Sequence, residues 1–470
     1  MLFVWKTVRN FLRGNGRIIC IFALLTMALF VADLSAAGHV KDVERKGFRK
    51  ELFIPLDAAL PEKELELYAT AAVLMDGESG RVLYGKNPDQ PLANASTTKV
   101  LTCMLILENC DLKETVSISE YAASMPKVKL GAVKGESYRV EELLYSLMLE
   151  SHNDSAVALA EHLGKEMLSE LAGKDEKDLT REESMLSLKA FSKLMNQKAL
   201  AIGCKDSYFI TPNGLDATET ILTEEGIEET KEHHVTARDL ALILSHAIMR
   251  SPKREEFLRI TGTPAYSFQE NGRAYSFQNH NSFLNMMEGA CSGKTGFTGK
   301  AGYCYVGALQ RDGRCYVVSL LACGWPGNRS YKWSDAKKLM EYGLENFQRR
   351  SLTEEGLLIG GAELPAILVL TGQGGDIGQE TVAELMVKDR NQLLADAPGL
   401  LMTGDENIEV VLELPTELFA PLEKGQKVGE IQYFLNGQII LTEDVIAKEE
   451  IKRIDLKWCL EKILERYLME

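Results

Sequence analysis

The sequence predicts an α+β domain over about residues 60–350, followed by a small β-rich domain over about 357–450. Two strand-like runs, 302–309 and 314–323, are rich in Val, Tyr and Leu and are separated by a turn, which is typical of an antiparallel sheet. Segments with helical spacing precede and follow these runs. After Arg350 the pattern changes to short alternating apolar runs broken by glycine-rich turns, which favours a second domain rich in strands.

The first 37 residues differ from the rest of the chain. Four basic residues precede an apolar run of 15 residues, Ile18–Ala32, and the small residues Ser35, Ala36 and Ala37 follow it. This order is that of a secretory signal peptide, and the run is shorter than the roughly 20 residues that cross a bilayer. We therefore predict a signal peptide over residues 1–37, cleaved near its end, and a mature protein outside the cytoplasm.

Charge and composition exclude several classes of protein. The formal net charge of −15 argues against a nucleic-acid binder, because neutralising phosphates needs a surplus of Lys and Arg on one face. The nine cysteines form no CxxC pair, and Cys304, Cys315 and Cys323 lie in apolar runs, which favours buried free thiols. The seven histidines form no HExxH motif. We predict no metal site and no other cofactor.

Local patterns predict the elements of the first domain in order. A β-hairpin is expected over Ala71–Tyr84, and a mostly buried helix is expected to begin near Ser96. Further helices are predicted over 140–150, 154–163, 235–249 and 334–346, with a solvated helix inside 165–189. The strongly acidic segment 218–234 is interpreted as an insertion loop.

The last segment, 455–469, has helical spacing with one apolar face. The residues that share that face are Leu456, Leu460, Ile463, Leu464 and Tyr467, and the charges of the segment nearly cancel. Contact with a protein and contact with a membrane surface are equally compatible with this pattern.

Three short motifs occur in the order that a serine acyltransferase needs. They are Ser96-Thr-Thr-Lys99, Ser151-His-Asn153 and Lys294-Thr-Gly296. The SxxK pattern also occurs at 124–127 and 334–337, but Pro126 makes the former a poor helix start and the latter follows the third motif. The SxN and KTG patterns each occur once. The ordered set therefore predicts Ser96 as a nucleophile.

The chemistry explains these residue types. A serine hydroxyl must lose its proton to a base as it attacks, and Lys99 lies one helical turn from Ser96. That lysine must be neutral, so burial and the charge of Lys294 would have to lower its pKa. Ser151 can relay a proton to the leaving group, and Asn153 can hold Lys99 and the substrate amide.

The third motif is expected on an edge strand, where an extended peptide can add itself through backbone hydrogen bonds. Lys294 and Thr295 would bind a terminal carboxylate, and Gly296 would let the strand approach closely. The backbone amides of Ser96 and Phe297 would form the oxyanion hole.

From about Ala71 to Phe347 the chain resembles the low-molecular-mass penicillin-binding proteins, the serine D-alanyl-D-alanine carboxypeptidases of the peptidase S11 type. The three motifs, together with Asn213-Gly-Leu-Asp216 and Lys300-Ala-Gly-Tyr303, carry this resemblance. It implies a penicillin-binding/β-lactamase-like transpeptidase domain that removes the terminal D-alanine of peptidoglycan muropeptides through a Ser96 acyl-enzyme. It also implies acylation by β-lactams and a place in the cell wall or on the outer face of the cytoplasmic membrane.

The chain departs from the family pattern at His152, where a small residue is usual, and at His280, near which relatives often carry a basic residue. Asn213 stands where a histidine is often seen. Two alternatives stay open: a class A-like β-lactamase, which would be a single compact domain, and a non-catalytic cell-wall-binding scaffold, which would have lost Ser96 or Lys99.

Overall fold

A computed structural model describes residues 65–222, 226–350, 364–388 and 399–468. The predicted signal peptide, residues 1–37, lies outside the described residues. Within them, no helix combines the length and the apolar composition needed to cross a membrane.

The centre of the first domain is a five-stranded antiparallel sheet. Its strands are β1 (Ala71–Asp76), β2 (Val82–Lys86), β9 (Ala290–Thr298), β10 (Gly302–Arg311) and β11 (Arg314–Leu321). Their order in the sheet is β2-β1-β11-β10-β9. The first hairpin and the β10–β11 hairpin lie where the sequence predicts them. Strand β9, which carries the Lys294 motif, is at the edge of the sheet as predicted.

The helices of the first domain lie on both sides of this sheet. They are α1 (Lys99–Asn109), α2 (Glu120–Ala123), α3 (Val140–Tyr145), α4 (Asn153–Glu166), α5 (Arg181–Ile202), α6 (Ala237–Met249), α7 (Arg254–Gly262) and α8 (Tyr331–Asn346). Alternate residues of β1 enter different cores: Val73 packs in the cluster that contains α1, whereas Leu74 packs in the cluster that contains α8. Because both faces are covered, β1 is apolar along nearly its whole length.

Short paired strands complete the periphery of this domain. They are β3 (Thr115–Ser117), β4 (Ser137–Arg139), β5 (Thr218–Leu222), β6 (Glu228–Glu232), β7 (Ala265–Glu270) and β8 (Arg273–Gln278). Strands β5 and β6 pair with each other, so the prediction of an insertion loop over 218–234 is wrong for this part of the segment. Exposed and half-buried residues alternate along β5, which is the period of a strand despite the acidic composition.

The β7–β8 hairpin is not predicted from the sequence. Its aromatic side chains stack on one another, and the ring centroids of Phe268 and Tyr275 lie 4.7 Å apart across the two strands. Tyr145 and Tyr266 stack at 3.7 Å, which fixes the hairpin beside α3. The hairpin ends directly before the Asn279-His280-Asn281 segment.

The C-terminal part is rich in strands, as predicted. They are β12 (Gln348–Arg350), β13 (Ile367–Leu370), β14 (Val382–Ala383), β15 (Leu385–Val387), β16 (Leu400–Met402), β17 (Ile408–Glu413), β18 (Glu417–Phe419), β19 (Lys427–Leu435) and β20 (Gln438–Ala447). They enclose a separate core that includes Ile431, Tyr433 and Val445. The exact boundaries 60–350 and 357–450 stay a prediction, since residues 351–363 are not among those described.

The two parts of the chain meet at a buried guanidinium. Arg81, at the start of the second strand of the first hairpin, donates to the backbone oxygen of Leu401 at 2.8 Å and forms an ion pair with Glu406. Both carboxylate oxygens of Glu406 accept from this side chain, so the pair is bidentate.

The chain closes with α9 (Leu456–Leu468), the helix predicted from the spacing of its apolar residues. None of its described side chains is buried. Leu464 is 58% exposed and Tyr467 is 79% exposed, so the apolar face lies open to solvent.

Candidate active site

Ser96 lies in a tight turn at the start of α1. A 3-10 helix, Ala95–Thr98, leads directly into that helix. Ala95 has a φ of 49°, in the left-handed region, and the Asn94 amide donates to the hydroxyls of both Thr97 and Thr98. The turn is therefore held by local hydrogen bonds in a conformation that L residues seldom adopt.

Gly214 allows this turn to form. A Cβ atom at this position would lie 1.9 Å from the carbonyl oxygen of Ala95, so no other residue fits without displacing the backbone before Ser96. The segment around Asn213 and Gly214 thus supports the turn from behind.

Lys99 links the first two motifs. Its Nζ lies 2.9 Å from Ser96 Oγ and 3.4 Å from Ser151 Oγ, and it donates to the Ser151 backbone oxygen at 2.9 Å and to Asn153 Oδ1 at 2.8 Å. The side chain is fully buried. The structure therefore brings Ser96, Lys99, Ser151 and Asn153 together around one amine.

The amine has no carboxylate to stabilise its charge in these contacts. Burial lowers the pKa of Lys99 well below its ordinary value, the charge of Lys294 lowers it further, and Asp154 opposes this shift. Burial also lowers the pKa of Lys294, to about 7, against the opposing charge of Glu150. The shift of the Lys99 pKa is in the direction that favours a neutral amine.

The second motif is held in place by hydrogen bonds to the 126–132 segment. Ser151 has a φ of 67° and follows a π-helical turn, Ser146–Glu150, while Asn153 begins α4. The Asp154 carboxylate accepts from the backbone amides of Leu130 at 2.8 Å and Gly131 at 2.9 Å. These bonds fix the start of α4 against the 126–132 segment, which also receives the side-chain amide of Asn153 at the oxygen of Pro126.

The third motif lies beside the Ser96 turn. A Cβ at Gly296 would be 3.0 Å from the Ser96 amide nitrogen and 2.9 Å from the Asn94 oxygen, so glycine is needed for this approach. The Lys294 ammonium is buried and donates to the Thr295 backbone oxygen at 2.9 Å. Phe297 is 43% exposed, with its ring 4.7 Å from that of Tyr303.

Comparison with known proteins identifies the family. The family model "D-alanyl-D-alanine carboxypeptidase" (Peptidase_S11) matches residues 58–167 and 184–321, and the model "Penicillin-binding protein 5, C-terminal domain" matches residues 401–453. The chain belongs to the D-alanyl-D-alanine carboxypeptidase family. This carboxypeptidase is a serine-type hydrolase, as the ordered motifs predict.

Several relatives span most of this carboxypeptidase. It is 27% identical to the D-alanyl-D-alanine carboxypeptidase DacF of Bacillus subtilis, covering 83% of this chain and 87% of the relative. It is 29% identical to DacA of Escherichia coli K12, with 91% of both chains covered. It is 31% identical to DacB2 of Mycobacterium tuberculosis over 58% of this chain and 80% of the relative.

Solved structures support the fold. The penicillin-binding protein 5 of Haemophilus influenzae superposes with a TM-score of 0.60 at 23% identity, covering 84% of this carboxypeptidase and all of that chain. The fold class, a penicillin-binding transpeptidase domain followed by a β-rich domain, is thereby confirmed.

A buried histidine contacts the turn that holds Ser96, and no motif in the sequence marks its contacts. His233 Nδ1 accepts from the amides of Ile210 and Thr211, at 3.0 and 3.2 Å, and its Nε2 is 3.0 Å from Thr98 Oγ1. Since Nδ1 accepts, Nε2 carries the proton and donates to Thr98. Burial lowers the pKa of His233 to about 3, so this neutral tautomer persists through the physiological pH range.

His152 contacts a hydroxyl group and an aromatic ring. Its Nδ1 is 2.8 Å from Ser146 Oγ, and its ring meets the edge of Phe277 at 5.7 Å. Burial lowers its pKa to about 4.

His280 lies 2.8 Å from Glu150 through Nε2, and Glu150 also accepts from the Gln278 amide at 2.7 Å. Glu150, the residue before Ser151, therefore contacts both the end of β8 and the segment that follows it.

The eight cysteines in the described residues are free thiols, and Cys304, Cys315 and Cys323 are buried as predicted. Cys291, on β9, is partly buried and directs its Sγ towards the Ala308 oxygen at 3.6 Å, which agrees with a packing role.

Proposed function

We propose that this carboxypeptidase removes the terminal D-alanine from peptidoglycan peptides that end in D-Ala-D-Ala, through an acyl-enzyme on Ser96. The observation that carries the proposal is the 2.9 Å contact between Lys99 Nζ and Ser96 Oγ inside a buried site that lowers the pKa of the amine. β-Lactams would acylate the same hydroxyl and act as inhibitors.

In the acylation step, neutral Lys99 takes the proton of Ser96 while Oγ attacks the carbonyl carbon of the penultimate D-alanine. The amides of Ser96 and Phe297 would stabilise the oxyanion; losing one such donor typically costs about 10²- to 10³-fold in rate. The C–N bond then breaks, and the proton passes from Lys99 through Ser151 Oγ, 3.4 Å away, to the amine of the leaving D-alanine.

In the deacylation step, water attacks the ester carbon and Lys99 takes a proton from it. The C–Oγ bond breaks, and the proton returns to Ser96. The products are free D-alanine and a peptide shortened by one residue. Asn153 holds Lys99 in place during both steps through its 2.8 Å hydrogen bond.

Strand β9 would bind the substrate in an extended conformation. It is the edge strand of the sheet, and its neighbour on one side is β10. A peptide backbone lying along its other side would bring the terminal carboxylate to Lys294 and Thr295.

We further propose that residues 1–37 export the protein and that it works in cell-wall biogenesis, in the wall or at the outer face of the cytoplasmic membrane. Family membership supports a peptidoglycan substrate outside the cytoplasm. The exposed apolar face of α9 supports a contact with the membrane surface, where Leu464 and Tyr467 would enter the headgroup region.

Mass spectrometry of the wild type and Ser96→Ala tests the assignment. Each protein is incubated with penicillin and, separately, with a peptide ending in D-Ala-D-Ala. A penicilloyl adduct and free D-alanine from the wild type alone would support Ser96 as the nucleophile. Rapid turnover of penicillin without release of D-alanine would indicate a β-lactamase, and folded wild type without either reaction would indicate a scaffold.

A further inference from the structure

A second cluster of reactive side chains lies at the opposite ends of the two helices that carry Lys99 and Asn153. Cys110 directly follows the end of α1, and Glu114 lies four residues further along the chain. His162 lies in the last third of α4. The thiol sulphur, a carboxylate oxygen and an imidazole nitrogen of these three residues all lie within 4.8 Å of one another.

The imidazole is oriented by a carboxylate that lies outside this triad. His162 Nδ1 is 2.7 Å from Glu176 Oε1, and its Nε2 is 3.0 Å from Glu114 Oε2. Glu176 is almost fully buried, and its other oxygen accepts from the Ser117 amide at 3.2 Å. In proteins, a metal-binding histidine almost always donates its other N–H to a carboxylate, carbonyl or water, and Glu176 supplies such an acceptor.

The carboxylate of Glu114 is also fixed. Its Oε1 accepts from the backbone amide of Asp111 at 2.8 Å, which directs Oε2 towards the imidazole. Cys110 and His162 are partly buried whereas Glu114 is exposed, so the cluster can be reached from solvent.

The three ligand types select the metal. Thiolate, imidazole and carboxylate together suit Zn²⁺, whose ligands lie about 2.0–2.3 Å from the ion and therefore about 3–4 Å from one another. The charges also agree with a dication. Ionised Glu114 and Glu176 carry two negative charges, and Cys110 adds a third once the metal displaces its thiol proton. Lys165 lies 3.3 Å from Glu176 but also pairs with Glu166.

We propose that Cys110, Glu114 and His162 bind a Zn²⁺ ion, with water as the fourth ligand and Glu176 orienting the imidazole. Binding displaces the thiol proton into solvent as the Zn–S bond forms, and no oxidation or reduction is involved. The ion joins the end of α1 to α4. The ion would stabilise the ends of these two helices that lie away from the candidate active site. It would not contact the substrate.

Calorimetric titration of the full-length chain with ZnCl₂, after removal of metal by EDTA, tests this site. We expect one saturable site in the wild type and in the control Cys459→Ser, which removes another partly buried thiol on α9. Cys110→Ser and His162→Gln should lose that site. Glu176→Gln should weaken Zn²⁺ binding by about 10- to 100-fold, the usual cost of removing such an orienting partner.

Two further measurements keep the result decisive. With Co²⁺ in place of Zn²⁺, a thiolate-to-metal absorption band should appear in the wild type and in Cys459→Ser but not in Cys110→Ser. Acylation by penicillin should proceed to the same extent in Cys110→Ser, which establishes that this variant is folded.

Failure to observe saturable binding in folded wild type, or binding that Cys110→Ser leaves unchanged, would overturn the proposal. His162 would then be an imidazolium held between Glu114 and Glu176 as part of an ordinary ion-pair network.

Discussion

Helices α1 and α4 each have one end in the candidate active site and the other end beside a cluster that contains carboxylates. The two ends therefore offer a buried lysine different hydrogen-bond acceptors. At the first end, Lys99 contacts hydroxyl, carbonyl and amide oxygens. At the other, Lys165 contacts the carboxylates of Glu166 and Glu176. Burial acts on both amines in the same direction, yet the pKa of Lys99 is lowered, whereas hydrogen bonds and charge from the two glutamates raise that of Lys165.

The comparison shows that burial alone does not set the protonation state of a lysine. The acceptors around the amine decide it: neutral oxygens leave the cost of removing water uncompensated, whereas carboxylates offset it. The same two helices can therefore provide a base at one end and a stable cation at the other.

The largest expected effect comes from Lys99→Arg. Arginine stays protonated and cannot act as a base near neutral pH, so the rate of acylation by penicillin should fall by about 10²- to 10⁴-fold. Stopped-flow or quenched mass spectrometry measures this rate. Lys165→Arg is the matched control and should acylate at the wild-type rate; equal losses in both variants would contradict the contrast between the two ends.

Glu161→Gln extends the comparison to a buried acid. Burial raises the pKa of Glu161 to about 7, although the hydrogen bond from Ser119, at 2.7 Å, opposes the shift. Because the folded state then binds the proton more tightly than the unfolded state, the wild type should lose stability as the pH rises from about 4.5 to 7. The glutamine variant does not titrate there.

We therefore expect Glu161→Gln to be more stable than the wild type at pH 8 by about 1–3 kcal/mol, with a much smaller difference at pH 5. Urea unfolding at the two pH values measures this change. A difference that is the same at both would show that the carboxyl does not titrate between them.

A smaller effect, opposite in sign at the two ends, is expected from replacing each lysine by methionine. A lysine whose pKa is lowered in the folded state reduces the free energy of unfolding at neutral pH. This loss disappears as the pH rises towards 10.5, the ordinary pKa of a lysine. Lys99→Met should therefore raise the free energy of unfolding at pH 7 by about 0.5–2 kcal/mol, and the gain should shrink at pH 10.

Lys165→Met should lower the free energy of unfolding at pH 7, because it removes a cation that pairs with Glu176. Thermal unfolding of both variants beside the wild type tests the pair. Two changes of the same sign would be incompatible with the roles assigned to the surrounding acceptors.

The smallest effect is expected from Glu150→Gln. The charge of Glu150 partly offsets the lowering of the Lys294 pKa, so its removal should leave a larger fraction of Lys294 uncharged at pH 7. We expect KM for a D-Ala-D-Ala peptide to rise severalfold while kcat changes less. Gln278→Ala is a useful control, since its backbone amide still donates to Glu150. An unchanged KM in Glu150→Gln would show that the charge of Lys294 does not contribute to substrate binding.

The sequence could predict the parts of the molecule that depend on short-range pattern. Spacing of apolar residues indicated α1, α4 and the central strands, and the ordered motifs indicated that Ser96, Lys99 and Asn153 would lie together. Contacts between distant segments could not be predicted. Arg81 and Glu406 are 325 positions apart, and nothing local to either residue marks the partner.

Two further features could not be predicted from the sequence, for physical reasons. The acidic composition of 218–234 obscures the alternation that makes β5 and β6 a hairpin. The cluster of Cys110, Glu114 and His162 has no short metal-binding spacing, because α1 and α4 bring its members together from distant parts of the chain. Composition and spacing describe a segment, but the folded neighbours of that segment determine its chemistry.

Under the proposed function, the edge position of β9 would restrict the routes to inhibitor resistance. A strand that recognises a peptide through its own amides and carbonyls offers no side chain whose substitution removes those bonds. Gly296 is further constrained by the Ser96 turn, since a Cβ atom there would lie 3.0 Å from the Ser96 nitrogen. Mutations that exclude an extended, substrate-like inhibitor would therefore tend to exclude the cell-wall peptide too, which leaves the organism few routes of escape at this strand.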